Sequence, residues 1–187
     1  ITVLETCIKL VESLGIKKVF INTFYLGNQI SNFLANKNFN ININIIEDGK
    51  SILDTGGGIL NMVNNSEDND FLVFNPDTLW SKEYVNDIIK MERLYFSKNI
   101  ENILLLTKKN LSFDKNLIGD FNLENNLVYK NELNNFIYTG CQILNKKLFL
   151  NYQVENFSII KVWNSLIKKK QLFGYESYND FYHLTNL

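Results

Sequence analysis

Apolar residues Leu4, Ile8, Val11 and Leu14 recur at helical spacing. Thr2 and Glu5 sit ahead of them at capping-box spacing, and Gly15 supplies a stop. Residues 18–22 read as a short apolar strand, and residues 26–35 as a helix with Ile30, Phe33 and Leu34 on one face. Ile41, Ile43 and Ile45 alternate with Asn42 and Asn44, the pattern of a half-buried strand. A glycine turn at Gly56, Gly57 and Gly58 then leads into a short helix through Leu60 and Val63.

Residues 71–74 are apolar without alternation, as in a strand covered on both faces. Residues 82–96 carry the stripe Val85, Ile88, Ile89 and Leu94, and residues 103–106 form another buried strand. Strands and helices alternate to this point, which predicts a parallel sheet with crossover helices. The pattern then changes. Residues 119–123 and 127–129 flank Asn125 and Asn126 as a hairpin. Residues 136–144 form a longer strand broken by Gly140, and residues 159–167 a helix. Residues 172–173 and 181–184 are the last strand candidates. No repeat or linker divides the chain, so a single domain over residues 1–187 is expected. The chain opens on Ile1 rather than Met and reads as starting inside a helix, and an upstream segment is expected to be missing.

Composition narrows the function. Lys and Arg total 19 against 20 Asp and Glu, for a net charge of -1, so no broad basic face argues for nucleic acid. No apolar run has the length to span a bilayer. Cys7 and Cys141 lie far apart without metal-type spacing, which favours a reduced, cytoplasmic setting. A single histidine, His183, excludes a multi-histidine metal centre. The abundance of Asn, Ile, Lys, Phe and Tyr reads as AT-rich coding.

Two segments carry chemistry. Three consecutive glycines after Asp54 and Thr55 are costly unless something approaches the backbone closely. The apolar strand ending in Asn75, Pro76 and Asp77 sets a carboxylate at the carboxyl edge of a sheet, where open α/β sheets bind ligands. Together they read as a nucleotide or sugar site with a metal-holding aspartate. The plainer alternatives are a tight strand-to-helix turn for the glycines and a turn or capping carboxylate for Asp77.

Asp54-Thr55-Gly56-Gly57-Gly58-Ile59 resembles the Glu-Thr-Gly-Gly-Gly-Ile segment of sugar-1-phosphate nucleotidyltransferases. The nearest branch comprises bacterial N-acetylmuramate-1-phosphate uridylyltransferases and mannose-1-phosphate guanylyltransferase-like proteins. Ile21-Asn22 with Leu26-Gly27 and Gln29-Ile30, Phe71 to Val73 with Asn75 and Asp77, Gly119-Asp120-Phe121, and Tyr138-Thr139-Gly140 are similar to family segments in the same order. The resemblance covers nearly the whole chain. It implies a Rossmann-like mixed, mostly parallel sheet flanked by helices, of the nucleotide-diphospho-sugar transferase type. The reaction it implies joins a sugar-1-phosphate to a nucleoside triphosphate, giving a nucleotide-sugar and pyrophosphate. It makes Asp77 the Mg²⁺ ligand, assigns Thr55, Gly56 and Gly57 to the nucleoside, and assigns Asp120, Thr139 and Gly140 to the sugar. For Gly140 a strand bulge is the structural alternative, and for Asp120 an ordinary turn carboxylate.

The chain departs from the family at three places. Pro76 replaces the glycine before the metal aspartate. Residues 181–185 stand where the family carries a second metal aspartate, with His183 or a displaced Asp180 as the replacement; a structural role is the expectation for His183. The family's opening strand and its Gly-x-Gly-x-Arg phosphate loop have no counterpart in residues 1–187. These departures keep open a non-catalytic nucleotide-sugar-binding or assembly module on the same fold. The basic run Lys168, Lys169 and Lys170, with Lys161, reads as a solvated helix end that complements the dipole.

Overall fold

The computed structural model describes residues 2–184, so Ile1 and residues 185–187 lie outside the described residues. In chain order the elements are α1 (Val3–Ser13), β1 (Lys18–Thr23), α2 (Gly27–Ala35), β2 (Asn42–Glu47), α3 (Asp54–Val63) and β3 (Asp70–Phe74). They continue with α4 (Tyr84–Ser97), β4 (Asn102–Lys108), β5 (Asn122–Glu124), β6 (Leu127–Tyr129), β7 (Phe136–Asn145), α5 (Ile160–Lys168) and β8 (Phe173–Ser177).

The strands fall into two sheets. One pairs β1 with β2, in parallel. The other has six strands in the order β3-β7-β4-β8-β6-β5. Its pairings make β3, β4, β8 and β5 run one way, with β7 and β6 running against them. The sheet is mixed and flanked by helices, as the family resemblance implies; the parallel sheet that the alternation alone predicts gives way at β7, which runs against both β3 and β4.

Strand β4 shows why the sheet sits at the centre. Ile103, Leu104, Leu105 and Leu106 are all fully buried, because successive side chains point to opposite faces and both faces are covered. On one face Leu104, Leu106 and Leu144 pack with Ile59, Leu60 and Val63 of α3 and with Trp163 and Leu166 of α5. On the other, Ile103, Leu105 and Ile143 pack with Ile88, Met91 and Tyr95 of α4 and with Leu10 of α1. A third cluster joins α1, through Ile8 and Val11, to Leu34 of α2 and to Ile41.

Local signals place most elements. The Thr2 hydroxyl accepts the Glu5 N–H at 3.2 Å and opens α1. Only half of the predicted capping box forms, because the Glu5 carboxylate turns to Lys9 and Lys37 at 2.8 and 3.1 Å. Asn125 and Asn126 both take positive φ, 50° and 64°, and close the β5–β6 hairpin as a two-residue turn.

Three expectations shift. The glycine triplet is not a turn ahead of a helix; it lies inside the first turns of α3. Strand β3 is half-buried from Phe71 to Phe74, with Asp70 exposed, rather than covered on both faces, because it is an edge of its sheet. Residues 181–184 form isolated bridges, Ser112 to Phe181 and Thr78 to His183, rather than a strand. Among the described residues no helix is long and apolar enough to cross a membrane.

Candidate functional site

Asp77 follows β3 on a turn that is clamped from three sides. The Asn75 N–H donates to the Gly140 carbonyl at 2.7 Å, and the Thr78 hydroxyl donates to the Thr139 carbonyl at 2.7 Å. The Leu184 N–H donates to the Asp77 carbonyl and the Leu79 N–H to the Tyr182 carbonyl, both at 2.9 Å. The Trp80 indole N–H reaches back to the Asn75 carbonyl at 3.0 Å. A proline at position 76 suits this turn, since its neighbours carry the hydrogen bonds and its own missing donor leaves none broken.

The partner of that turn is a bulge in β7. Pairing with β4 runs in register to Leu104–Gln142 and resumes at Leu106–Tyr138, so extra residues of β7 are squeezed out between. Gly140 sits in this bulge with φ +90°, and a Cβ there would lie 2.9 Å from the Asn75 Cβ. Glycine is required both for the backbone conformation and for the approach of Asn75. The structure thus brings Thr139 and Gly140 against the turn that carries Asp77. Thr139 is fully buried, and its hydroxyl donates to the Leu105 carbonyl at 2.9 Å. Asp120 is next along: its carboxylate accepts the Tyr138 N–H at 2.9 Å, and the protein packed around it raises its pKa above the ordinary aspartate range.

The two oxygens of Asp77 differ. Oδ2 meets His183 Nε2 at 3.1 Å, while Oδ1 is buried with no hydrogen-bond partner. A buried carboxylate oxygen left unpaired is costly unless a donor or cation meets it. His183 stands across the backbone pairing from Thr78, stacked on Phe181. It is His183 that pairs across from Thr78, while Asp180 lies three residues earlier, its carbonyl accepting the Tyr84 hydroxyl at 2.9 Å. Mg²⁺ takes oxygen ligands and often only one or two carboxylates, with water and phosphate completing its shell. Asp77 fits that demand through Oδ1. The imidazole of His183 does not, being a ligand for softer metals. Among the described residues no group of three or more His, Cys, Asp or Glu side chains forms a metal cluster.

Cys7 and Cys141 are buried and unpaired. Burial pushes the Cys7 thiol up to about 12, with the Asp77 charge adding to it, and pushes Cys141 well above its usual value. Both are neutral thiols that pack as small hydrophobes.

The glycine triplet answers to packing. A Cβ on Gly56 would fall 2.3 Å from the Phe157 ring, and one on Gly57 would fall 2.0 Å from the Glu155 carbonyl oxygen. The N–H groups of Gly56 and Gly57 both donate to the Phe157 carbonyl, at 2.9 and 3.1 Å. Two of the free donors at the start of α3 are therefore used within the protein. Thr55 is exposed, and its hydroxyl accepts the Ile159 N–H at 3.0 Å. Lys168, Lys169 and Lys170 are exposed at the end of α5, as a solvated helix terminus.

One cluster was not singled out by the sequence. Asn22, at the end of β1, donates to Asp48 at 2.8 Å, and Asn61 of α3 donates to the other Asp48 oxygen at 3.1 Å. A Cβ on Gly58 would sit 2.9 Å from the Asn22 amide, so the third glycine opens room for this network. The available signal was that Asn22 and Asp48 close strands β1 and β2 as Asp77 follows β3.

No protein-family model and no curated protein sequence matches the chain. Solved structures do. The inositol-1-phosphate CTP transferase from T. maritima superposes with TM-score 0.78 at 12% identity, covering 97% of this chain and 76% of that one. HddC from Yersinia pseudotuberculosis gives TM-score 0.74 at 19% identity, over 96% of this chain and 78% of that one. A UDP-glucose pyrophosphorylase complexed with UDP-glucose gives 0.70 at 14%, over 97% and 79%. Similarity at this level of identity establishes architecture. The chain therefore has the nucleotide-diphospho-sugar transferase fold, the fold of the sugar-1-phosphate nucleotidyltransferases among these structures.

Proposed function

We propose that this chain is the nucleotidyl-transfer domain of a sugar-1-phosphate nucleotidyltransferase, taking a nucleoside triphosphate and a sugar-1-phosphate. The observation that carries this reading is the clamped strand-end aspartate, with one buried oxygen lacking a partner, on that fold. The neighbours crystallised with GMP-PN and with UDP-glucose support a nucleotide or nucleotide-sugar as the kind of ligand.

The residues divide the work. Asp77 would hold Mg²⁺ through its carboxylate, and the ion would supply positive charge beside the triphosphate. Gly140 and Thr139 hold the Asp77 turn at a fixed height above the sheet. Gly56 and Gly57 let α3 close on residues 155–157, which sets Thr55 at the rim on the nucleoside side. Asp120 offers a carboxylate on the sugar side, anchored by the Tyr138 N–H. Catalysis in such a site is mostly positioning and charge stabilisation.

The test is pyrophosphate release by the intact protein from a panel of triphosphates and sugar-1-phosphates with Mg²⁺. Asp77→Asn is expected to lower the rate by about 100-fold or more. An intact protein that releases no pyrophosphate with any pair overturns the reading.

One observation favours a second reading, a non-catalytic nucleotide-sugar-binding module. His183 occupies the Asp77 oxygen that a second carboxylate-bound cation would share. Calorimetric binding of a nucleotide-sugar without turnover would select it.

A further inference from the structure

Glycine follows aspartate at one place in the chain, Asp48–Gly49, and follows asparagine nowhere. Such a pair carries its own chemistry. The amide nitrogen of the glycine can close a five-membered ring onto the side-chain carbon of the aspartate, so the attack is intramolecular. Glycine puts no Cβ in the way and turns easily to present its nitrogen.

The structure gives this pair the surroundings that the attack needs. Asp48 is the first residue after β2, and Gly49 and Lys50 form an exposed turn beyond it. Gly49 takes φ +86°, and a Cβ built on it would meet nothing within 4 Å. The Asp48 N–H donates to the Thr23 carbonyl at 2.9 Å, the last bond that ties this segment to β1. Among the described residues no backbone carbonyl meets the Gly49 N–H. The ladder thus ends at Asp48, with the neighbouring nitrogen unpaired.

The carboxylate is held from other elements. Asn22 of β1 donates through Nδ2 to Asp48 Oδ2 at 2.8 Å, and Asn61 of α3 donates through Nδ2 to Oδ1 at 3.1 Å. Ring closure expels one of these oxygens as water, so it breaks one of the two bonds. Hydrogen bonds to a charged acceptor are among the stronger ones, and their loss raises the barrier to closure.

We propose that Asp48–Gly49 is a self-modification site, an aspartate that converts to isoaspartate, and that Asn22 and Asn61 restrain the conversion. The Gly49 nitrogen attacks Asp48 Cγ. A C–N bond forms and a C–O bond breaks; the carboxyl oxygen leaves as water with the amide proton and one solvent proton. Water then opens the cyclic imide and returns that proton. Addition at Cγ restores aspartate. Addition at the Asp48 main-chain carbonyl breaks its bond to the Gly49 nitrogen, frees that carbonyl as a carboxylate, and leaves the chain running through Cβ and Cγ. No oxidant, reductant or cofactor takes part. The product has the same mass, a main chain longer by one carbon and a side branch shorter by one. Its carboxylate no longer spans Asn22 and Asn61, so the tie joining β1, the end of β2 and α3 is lost.

Ageing the protein in H₂¹⁸O tests this, and nothing in the outcome depends on nucleotidyl transfer. Each passage through the imide puts one ¹⁸O into residue 48, read by mass spectrometry of its peptide, and an isoaspartyl methyltransferase counts the isoaspartate. Label is expected at residue 48 about tenfold or more faster than at Asp68 or Asp180, which are exposed but precede residues with side chains. Gly49→Asn tolerates the left-handed backbone yet supplies a Cβ, and should slow labelling about tenfold. Asn61→Ala and Asn22→Ala each release one oxygen and should speed it about threefold or more. Asn65→Ala is the control for a loosened helix. It removes the bond from Asn65 Nδ2 to the Asn61 carbonyl without touching Asp48, and should leave the rate unchanged. Labelling at residue 48 no faster than at Asp68, a rate indifferent to Gly49→Asn, or amide variants that slow labelling or match Asn65→Ala overturns the proposal.

Discussion

At the scale of single residues, the features that sequence marked most clearly were those whose chemistry is unusual where they stand. Asp77 after an apolar strand and a glycine run after Asp54 are both out of place unless they serve something. Their reasons were not equally legible. The glycines read as a ligand turn, yet Gly57 is required because the Glu155 carbonyl, far away in sequence, would lie 2.0 Å from its Cβ. No local pattern announces a contact of that kind. Gly57→Ala is therefore expected to lower stability by about 2 kcal/mol or more, read as the shift in urea midpoint, since backbone rather than a flexible side chain must give way. An unchanged midpoint would mean that residues 153–157 yield freely. His183 was legible as a structural histidine only in part. That it would meet Asp77 depended on the pairing of residues 182–184 with residues 77–79.

At the scale of elements, periodicity located α1 to α4 and β1 to β4 because each is a local pattern of buried positions. The bulge in β7 was visible only as a glycine in a strand. Its partner, the Asn75 turn, joins it through tertiary packing. The α1 cap shows a similar limit: Glu5 has capping-box spacing, but two lysines compete for it, and one of them comes from beyond α2. Those lysines hold the Glu5 carboxyl at about 2, against 4.5 for a free glutamate. A folded-state pKa below the unfolded one stabilises above pH 4.5, and this contribution is lost as pH falls towards 2. Comparing the protein with its Glu5→Gln variant by urea unfolding should show the parent ahead near pH 6 and the gap closed by about pH 2. A gap that is independent of pH would assign the difference to packing instead.

At the scale of the whole molecule, alternating strands and helices predicted a parallel sheet, the family resemblance implied a mixed one, and the topology is mixed because β7 runs against both β3 and β4. Strand order was not legible, because the insertion of β7 between β3 and β4 is a choice among long-range pairings. The two tryptophans sit on opposite faces of the larger sheet, Trp80 against Phe74 and Tyr84, Trp163 against Phe121 and Tyr138. Leu104, fully buried between the sheet and α5, ties one of those faces to the centre. Leu104→Ala is expected to cost about 2–5 kcal/mol. If the chain unfolds as a unit, fluorescence of Trp80 and of Trp163 will report one midpoint and one shift. Two midpoints would divide the sheet into separately melting layers. The edges of β1 and β3, which belong to different sheets, face each other across an apolar slot lined by residues 18–22 and 70–74, and its shape has a specific bearing on self-association. A lone open edge recruits one strand and then exposes a fresh edge, so growth continues. A gap bounded on both sides saturates after a single guest and leaves nothing new to template. Among the described residues such a gap is a terminating acceptor, and fibre growth would have to start from the outer rims at β2 or β5.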